Sequence, residues 1–227
     1  MHGGIIAVDR AARQGWRLMK LLRHRSVAGF GCAAGSEMPR EKKGIVMNRT
    51  KIDALKHAGE IMDRLGHGGV LLTTMAGEKV DSMTIGWGFL GIEWERPVFV
   101  ALVRTGRFTA EQLAAAPEFT VNVPREDSPK RALGYCGSRT GRAGDKLAGA
   151  GLTTVPGEVV GAPAIKEFPL TLECRVLYRQ LQDADQIPAD IRAEMYPQDV
   201  PSTNPMANRD YHIMFHGEVV DAYLLGE

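Results

Sequence analysis

The chain has 227 residues, 44% of them hydrophobic and 24% charged, and a net charge of +1. That balance suits a globular chain with room for one sizeable core or two small ones, and no apolar run approaches the roughly 20 residues that a membrane-crossing helix needs. The near-neutral total hides an asymmetry: residues 1–46 carry nine Lys/Arg against three Asp/Glu, leaving residues 47–227 at −5, a mildly acidic body that argues against a general nucleic-acid binder.

Residues 1–46 read as a basic, poorly ordered extension ahead of a domain over 47–227. The stretch Leu18–Leu22 is broken by Lys20 and followed by more arginine, too short an apolar core for a secretory signal. A basic helix touching a membrane surface is the other reading of this segment.

From Lys51 the pattern becomes regular. Ile52, Leu55, Ala58, Met62 and Leu65 recur at three- and four-residue steps, which predicts a helix capped by Asn48 or Thr50 and ended by Gly66 to Gly69. Val70–Met75 is β-prone, Ala76–Lys79 is a turn of hairpin length, and Ser82–Ile92 is a second strand run. Val98–Val103 is continuously apolar and is expected to be buried on both faces. A short helix follows over 109–118, with Thr109 at the N-cap and Gln112 three residues on, as in a capping box.

Phe119–Val123 alternates as a strand and Lys130–Tyr135 reads as helical. Residues 183–209 look like a long surface excursion with one helical stretch at Ala189–Met195. Leu170–Tyr178 and His212–Leu225 are long strands. Strands outnumber helices and adjoin one another in sequence, which predicts an antiparallel barrel with helices packed outside, not a doubly wound sheet.

Four segments carry chemistry. In Asp81–Gly88, Gly86 and Gly88 remove side chains where a flat ligand could approach the backbone, Thr84 offers a hydroxyl and Trp87 an apolar face. A strand with a glycine bulge and a core tryptophan accounts for the same residues. Val103–Thr109 leads from the buried strand into a helix N-terminus. Arg104, Arg107, Thr105 and Thr109 make it a ready phosphate site, or else a solvated loop with paired arginines.

Cys136–Lys146 is a second cationic loop, with Ser138, Gly141, Arg142 and Lys146, and it contains neither a dinucleotide fingerprint nor a P-loop. Cys136 reads as a packed small residue or a redox thiol. Cys32, Cys136 and Cys174 form no CxxC pair and no ligand spacing with the six histidines, so no metal centre is expected and a reduced cytoplasmic compartment fits. Asn208–His212 brings Tyr211 and His212 to a strand start, where His212 could donate a proton near neutral pH or simply be a satisfied core histidine.

Together these segments resemble the flavin reductase-like family, in its flavoredoxin-like branch. The resemblance rests on Ser82-Met83-Thr84-Ile85-Gly86-Trp87, then Pro97–Val103, Arg104–Thr109, Ala132–Lys146, Leu172–Tyr178, Asn208–His212 and Gly217–Val219, and it spans about residues 51–227. It implies a mainly β fold with peripheral helices: an antiparallel, Greek-key-like split β-barrel that dimerises and binds FMN near the subunit interface. Met83, Thr84, Ile85, Gly86 and Trp87 would meet the flavin ring, and His212 would lie near it. Arg104, Arg107 and Thr109 would hold the phosphate and ribityl chain, with Ser138, Gly141, Arg142 and Lys146 completing the phosphate side. The implied activity is hydride transfer from NAD(P)H to bound flavin, with no protein-borne catalytic group. The alternative is an FMN electron carrier serving a protein partner.

Overall fold

The computed structural model describes residues 47–199 and 207–226; the extension expected over residues 1–46 lies outside them. Among the described residues, ten strands and five α-helices follow in chain order. A short strand, β1 (Arg49–Lys51), precedes a 3-10 turn over Ala54–His57 and helix α1 (Ala58–Gly66). The helix therefore starts later than its apolar stripe suggests. Asp53 caps the turn, its Oδ1 accepting from the Leu55 N–H at 3.0 Å, whereas Asn48 and Thr50 lie ahead of it or in β1.

Next come β2 (Val70–Ala76), β3 (Lys79–Ile85), β4 (Gly88–Glu93) and β5 (Arg96–Arg104). The run expected over 82–92 is thus two strands, broken at Gly86-Trp87. Helix α2 (Phe108–Ala115) is followed by β6 (Glu118–Val123) and α3 (Lys130–Ser138). Helix α4 (Lys146–Ala150) and a two-residue ladder, β7 (Thr154–Val155) with β8 (Ala164–Ile165), come next. The chain closes with β9 (Leu170–Leu181), α5 (Ala189–Met195) and β10 (His212–Leu225).

The main sheet is antiparallel throughout, in the order β3-β2-β6-β9-β10-β5-β4, with β1 added to the end of β10. It is mainly β with peripheral helices, as the sequence suggests, but its ladder is not closed. The two edges, β3 and β4, are consecutive in the chain and joined by Gly86-Trp87 alone. The Leu102 N–H reaches the Trp87 carbonyl at 3.4 Å, so this linker lies alongside β5 at the opening between the edges.

One face of the sheet and α1 enclose the main core. Phe99, Phe119, Phe215, Leu170 and Leu172 are fully or almost fully buried there with Ile61 and Leu65 of α1, and removing this apolar surface from water is the chief stabilising contribution. A second cluster seats α3 and α4 on the outer side of β2 through Leu71, Leu133, Cys136 and Leu147. Strand β5 is buried on both faces from Val98 to Ala101, as its apolar run predicts.

Candidate functional site

The opening between β3 and β4 leads into a cleft of about 540 Å³, lined by Leu65, Met83–Trp87, Leu102, Arg104, Arg107 and Leu133, with Ser138, Met195 and His212 at its margins. That volume suits a ligand of cofactor size. Met83 and Arg107 also line a pocket of about 80 Å³, with Thr109, Arg139, Gly141, Arg142 and Lys146 around it. All twelve residues expected at a cofactor, and His212 with them, line one or other of these adjoining spaces.

Their side chains differ in what they are free to do. Strand β3 pairs only with β2, so half its backbone N–H and C=O groups point out of the ladder. The Thr84 hydroxyl is already committed, donating to the Leu133 carbonyl of α3 at 2.6 Å. Trp87 keeps 38% of its surface exposed. Gly88 does not line the cleft; a side chain there would meet the Val100 carbonyl at 2.6 Å, so its small size serves strand packing. The Ser138 hydroxyl donates within its own helix, to the Gly134 carbonyl at 2.8 Å.

The two arginines of the Arg-x-x-Arg segment do different work. Arg104 is 7% exposed. Its guanidinium donates to the carbonyls of Asn208 and Asp210, each at 2.8 Å, and of Met195 at 3.2 Å. It also lies over the rings of Tyr196 and Trp87. This corrects the reading of Arg104 as a phosphate ligand: it ties Met195, Asn208 and Asp210 to β5. The Arg107 guanidinium has no hydrogen bond or ion pair among the described residues, and Arg107 lines both spaces. Thr109 is not the N-cap of α2; Arg107 holds that position, and Gln112 turns inward to donate to the Lys79 carbonyl at 2.8 Å and accept from Thr74.

The loop after α3 is built on a buried ion pair. Lys146 Nζ lies 3.0 Å from Asp81 Oδ1 with both side chains nearly inaccessible, and it donates to the Arg139 carbonyl. Lys146 is thus a floor for the small pocket, not a free donor within it. Gly141 packs on the same carboxylate, since a Cβ there would come within 2.2 Å of Asp81 Oδ1. Arg142 bridges to Glu111 and to the Gly106 carbonyl, tying the loop to α2. Burial pushes the Cys136 thiol up to about 11, which removes the thiolate a redox role needs.

His212 differs from expectation in charge. It is 6% exposed, and burial, reinforced by Arg104, lowers its pKa to about 4. It is therefore neutral at pH 7 and is not an imidazolium donor. The β5–β10 register sets it opposite Arg104, and its ring centroid lies 4.8 Å from that of Trp87. Tyr196, unnoticed in the sequence, completes the group. It follows α5 with only 3% exposure and stacks on Tyr211 at 4.7 Å. Of the excursion expected over 183–209, Met195 and Ala207 line the cleft. The signal for Tyr196 was a lone aromatic after a short helix, which has no spacing to mark it.

Among the described residues no group of three or more His, Cys, Asp or Glu is placed to hold a metal ion, and no helix is long and apolar enough to cross a membrane. No curated protein matches the chain in sequence. Several solved structures share its fold. A flavoredoxin from Methanosarcina acetivorans is 27% identical, with 69% of this chain and 68% of that one covered and a TM-score of 0.50. An FMN-binding domain of a flavin reductases-like enzyme from Shewanella baltica OS155 is 15% identical, covering 78% of each chain with a TM-score of 0.50. Nitrilotriacetate monooxygenase component B from Bacillus cereus is 14% identical, covering 86% of this chain and 83% of that one with a TM-score of 0.54. The model of the flavin reductase like domain matches residues 62–227, and the chain belongs to that family.

Proposed function

We propose that the chain binds FMN and works as a flavin oxidoreductase that uses NAD(P)H. The observation that carries this reading is the junction at Met83 and Arg107, where a partly apolar cleft opens onto a small pocket rimmed by arginines. A flat ring with a phosphate at the end of its tail calls for such a pairing. When bound, FMN supplies the redox chemistry, taking a hydride from the nicotinamide and passing electrons on.

The protein's part is binding, alignment and exclusion of water. The Arg107 guanidinium, free of other partners among the described residues, would hold the phosphate, with Arg139 and Arg142 at the rim. The outward backbone groups of β3 would meet the polar edge of the ring. Leu65, Leu102, Leu133 and Trp87 supply apolar walls. No acid–base pair is required of the protein, which agrees with a neutral His212. We further propose a homodimer in a reducing, cytoplasmic setting, where the buried thiols Cys136 and Cys174 stay unpaired.

Purified protein is expected to show flavin absorbance or to take up added FMN. Stopped-flow mixing of the loaded protein with NADH and with NADPH then tests the activity. If neither bleaches the flavin faster than free FMN, the oxidoreductase reading fails. The 27% identity to a flavoredoxin favours a second reading, an FMN electron carrier with a protein partner. Reduction by a protein donor where NAD(P)H is inert would select it.

A further inference from the structure

His212 at the cleft is held by two polar side chains, Tyr196 and Gln182, that line neither space themselves. Tyr196 Oη lies 2.9 Å from Gln182 Oε1 and 2.7 Å from His212 Nδ1. The His212 backbone N–H also points to Gln182 Oε1, at 3.4 Å, so the oxygen of the Gln182 amide faces two donors. Gln182 in turn donates its backbone N–H to the His212 carbonyl at 2.9 Å. The β9 and β10 ends thus hold each other in register around Tyr196.

Proton counting then fixes the histidine. A phenol has one hydrogen, and a carbonyl oxygen has none to give. The Tyr196 hydrogen therefore goes to Gln182 Oε1, and the hydrogen in the 2.7 Å contact comes from His212 Nδ1. Burial raises the pKa of Tyr196, so it stays a phenol, and His212, neutral as described, carries that single proton. Its Nε2 is left as a bare lone pair. Nε2 has no hydrogen-bond partner among the described residues, and His212 lines the cleft with its ring against that of Trp87.

We propose that Tyr196 and Gln182 are positioning residues that lock His212 into its Nδ1–H form, so that the cleft offers Nε2 as an acceptor for the N–H edge of a planar ligand. A lone pair at this point accepts from an imide or carboxamide and repels a carboxylate. The ligand's identity rests on the flavin oxidoreductase reading, which supplies two such edges: the imide N–H of the flavin ring and the carboxamide of the nicotinamide. The tautomer itself rests on this chain's side chains alone.

Selective ¹⁵N-histidine labelling of the full chain, read by long-range ¹H–¹⁵N correlation at pH 7, tests it. His212→Gln identifies the signals by their loss. The wild type is expected to show a protonated Nδ1 and a bare Nε2. Gln182→Met removes the competing acceptor and frees Tyr196 to donate to Nδ1, so the proton should move to Nε2. Tyr196→Phe removes the acceptor of Nδ1–H and should mix the two forms. A protonated Nε2 or an imidazolium in the wild type overturns the proposal, whatever the variants do.

FMN, then NAD⁺, then the NAD⁺ analogue bearing acetyl in place of carboxamide, are added in turn, with bound flavin read by absorbance in the same sample. A shift of the Nε2 signal toward the protonated range with FMN alone assigns the flavin imide. A shift with NAD⁺ and not with the acetyl analogue assigns the carboxamide. No shift with flavin bound and NAD⁺ saturating overturns the acceptor role. Failure of the oxidoreductase reading shows separately, as a flavin that neither nucleotide bleaches.

Discussion

Arg104 and Arg107 lie three residues apart and differ in what surrounds them, so they should fail differently. Arg107→Ala removes a free cation at the junction of the two spaces. Losing its charge-assisted bonds to a phosphate costs about 1.5–3 kcal/mol, so the FMN Kd should rise roughly 10- to 100-fold with thermal stability unchanged. Arg104→Ala orphans three backbone carbonyls and should cost about 3 kcal/mol of stability. Flavin titration and urea denaturation of both variants check this; equal losses of stability would contradict the division of labour. His212 gives a second prediction. Its folded pKa of about 4 lies below the ordinary 6.5, so as pH falls through 6.5 the unfolded chain takes up a proton that the folded chain refuses. Stability should drop between pH 6.5 and 4, by about 2 kcal/mol at pH 5 from this group. Denaturation at pH 7 and pH 5 should show a smaller drop for His212→Gln than for the wild type.

At the scale of elements, the turn between β4 and β5 is out of keeping with its residues. Glu93 pairs with Arg96, leaving Trp94 and Glu95 as a two-residue loop with φ of 52° and 61°. Both positive values are what a type I′ hairpin demands, and Asn-Gly is the sequence that meets them without strain. An L-residue in this region costs about 1–2 kcal/mol. After allowing for the entropy of a new glycine, Trp94→Asn with Glu95→Gly should stabilise the isolated chain by about 1 kcal/mol in urea denaturation. Element type was legible wherever burial is one-sided or complete, as in the apolar run of β5 and the stripe of α1. Boundaries were not. The split of 82–92 into β3 and β4 depends on where β5 and α1 leave room, which no local pattern records. Nor does local pattern reveal that Thr84, Lys146 and Arg104 spend their donors on carbonyls and a carboxylate far away in sequence. The twelve cofactor candidates and His212 line the cleft or its pocket, although only five of them are the glycines and arginines that stand out in the sequence. Their availability is a property of the packed neighbours.

For the whole molecule, the outer face of the sheet raises the question of what covers it. Phe89, Val100, His216 and Tyr178 form one row across β4, β5, β10 and β9, and the Trp94 ring lies 6.4 Å from that of Tyr178. Phe89, Trp94 and Tyr178 are 49%, 54% and 42% exposed, a concentration of aromatic surface typical of an interface. The alternation of β5 puts Leu102 and Arg104 on the same face as Val100, and both line the cleft. A second copy seated on this row would therefore abut the cleft and close it from one side, with a two-fold axis burying the same patch on each chain. Sedimentation velocity should find twice the chain mass, and Phe89→Asp with Tyr178→Asp should give a folded monomer, because two carboxylates desolvated at such a centre find no partner. FMN affinity should fall in that variant by about tenfold or more, although neither residue lines the cleft, since an open rim leaves the ring exposed to water. A dimeric wild type whose double variant stays dimeric would place the interface elsewhere. A monomer that keeps full FMN affinity would show that one chain builds the whole site.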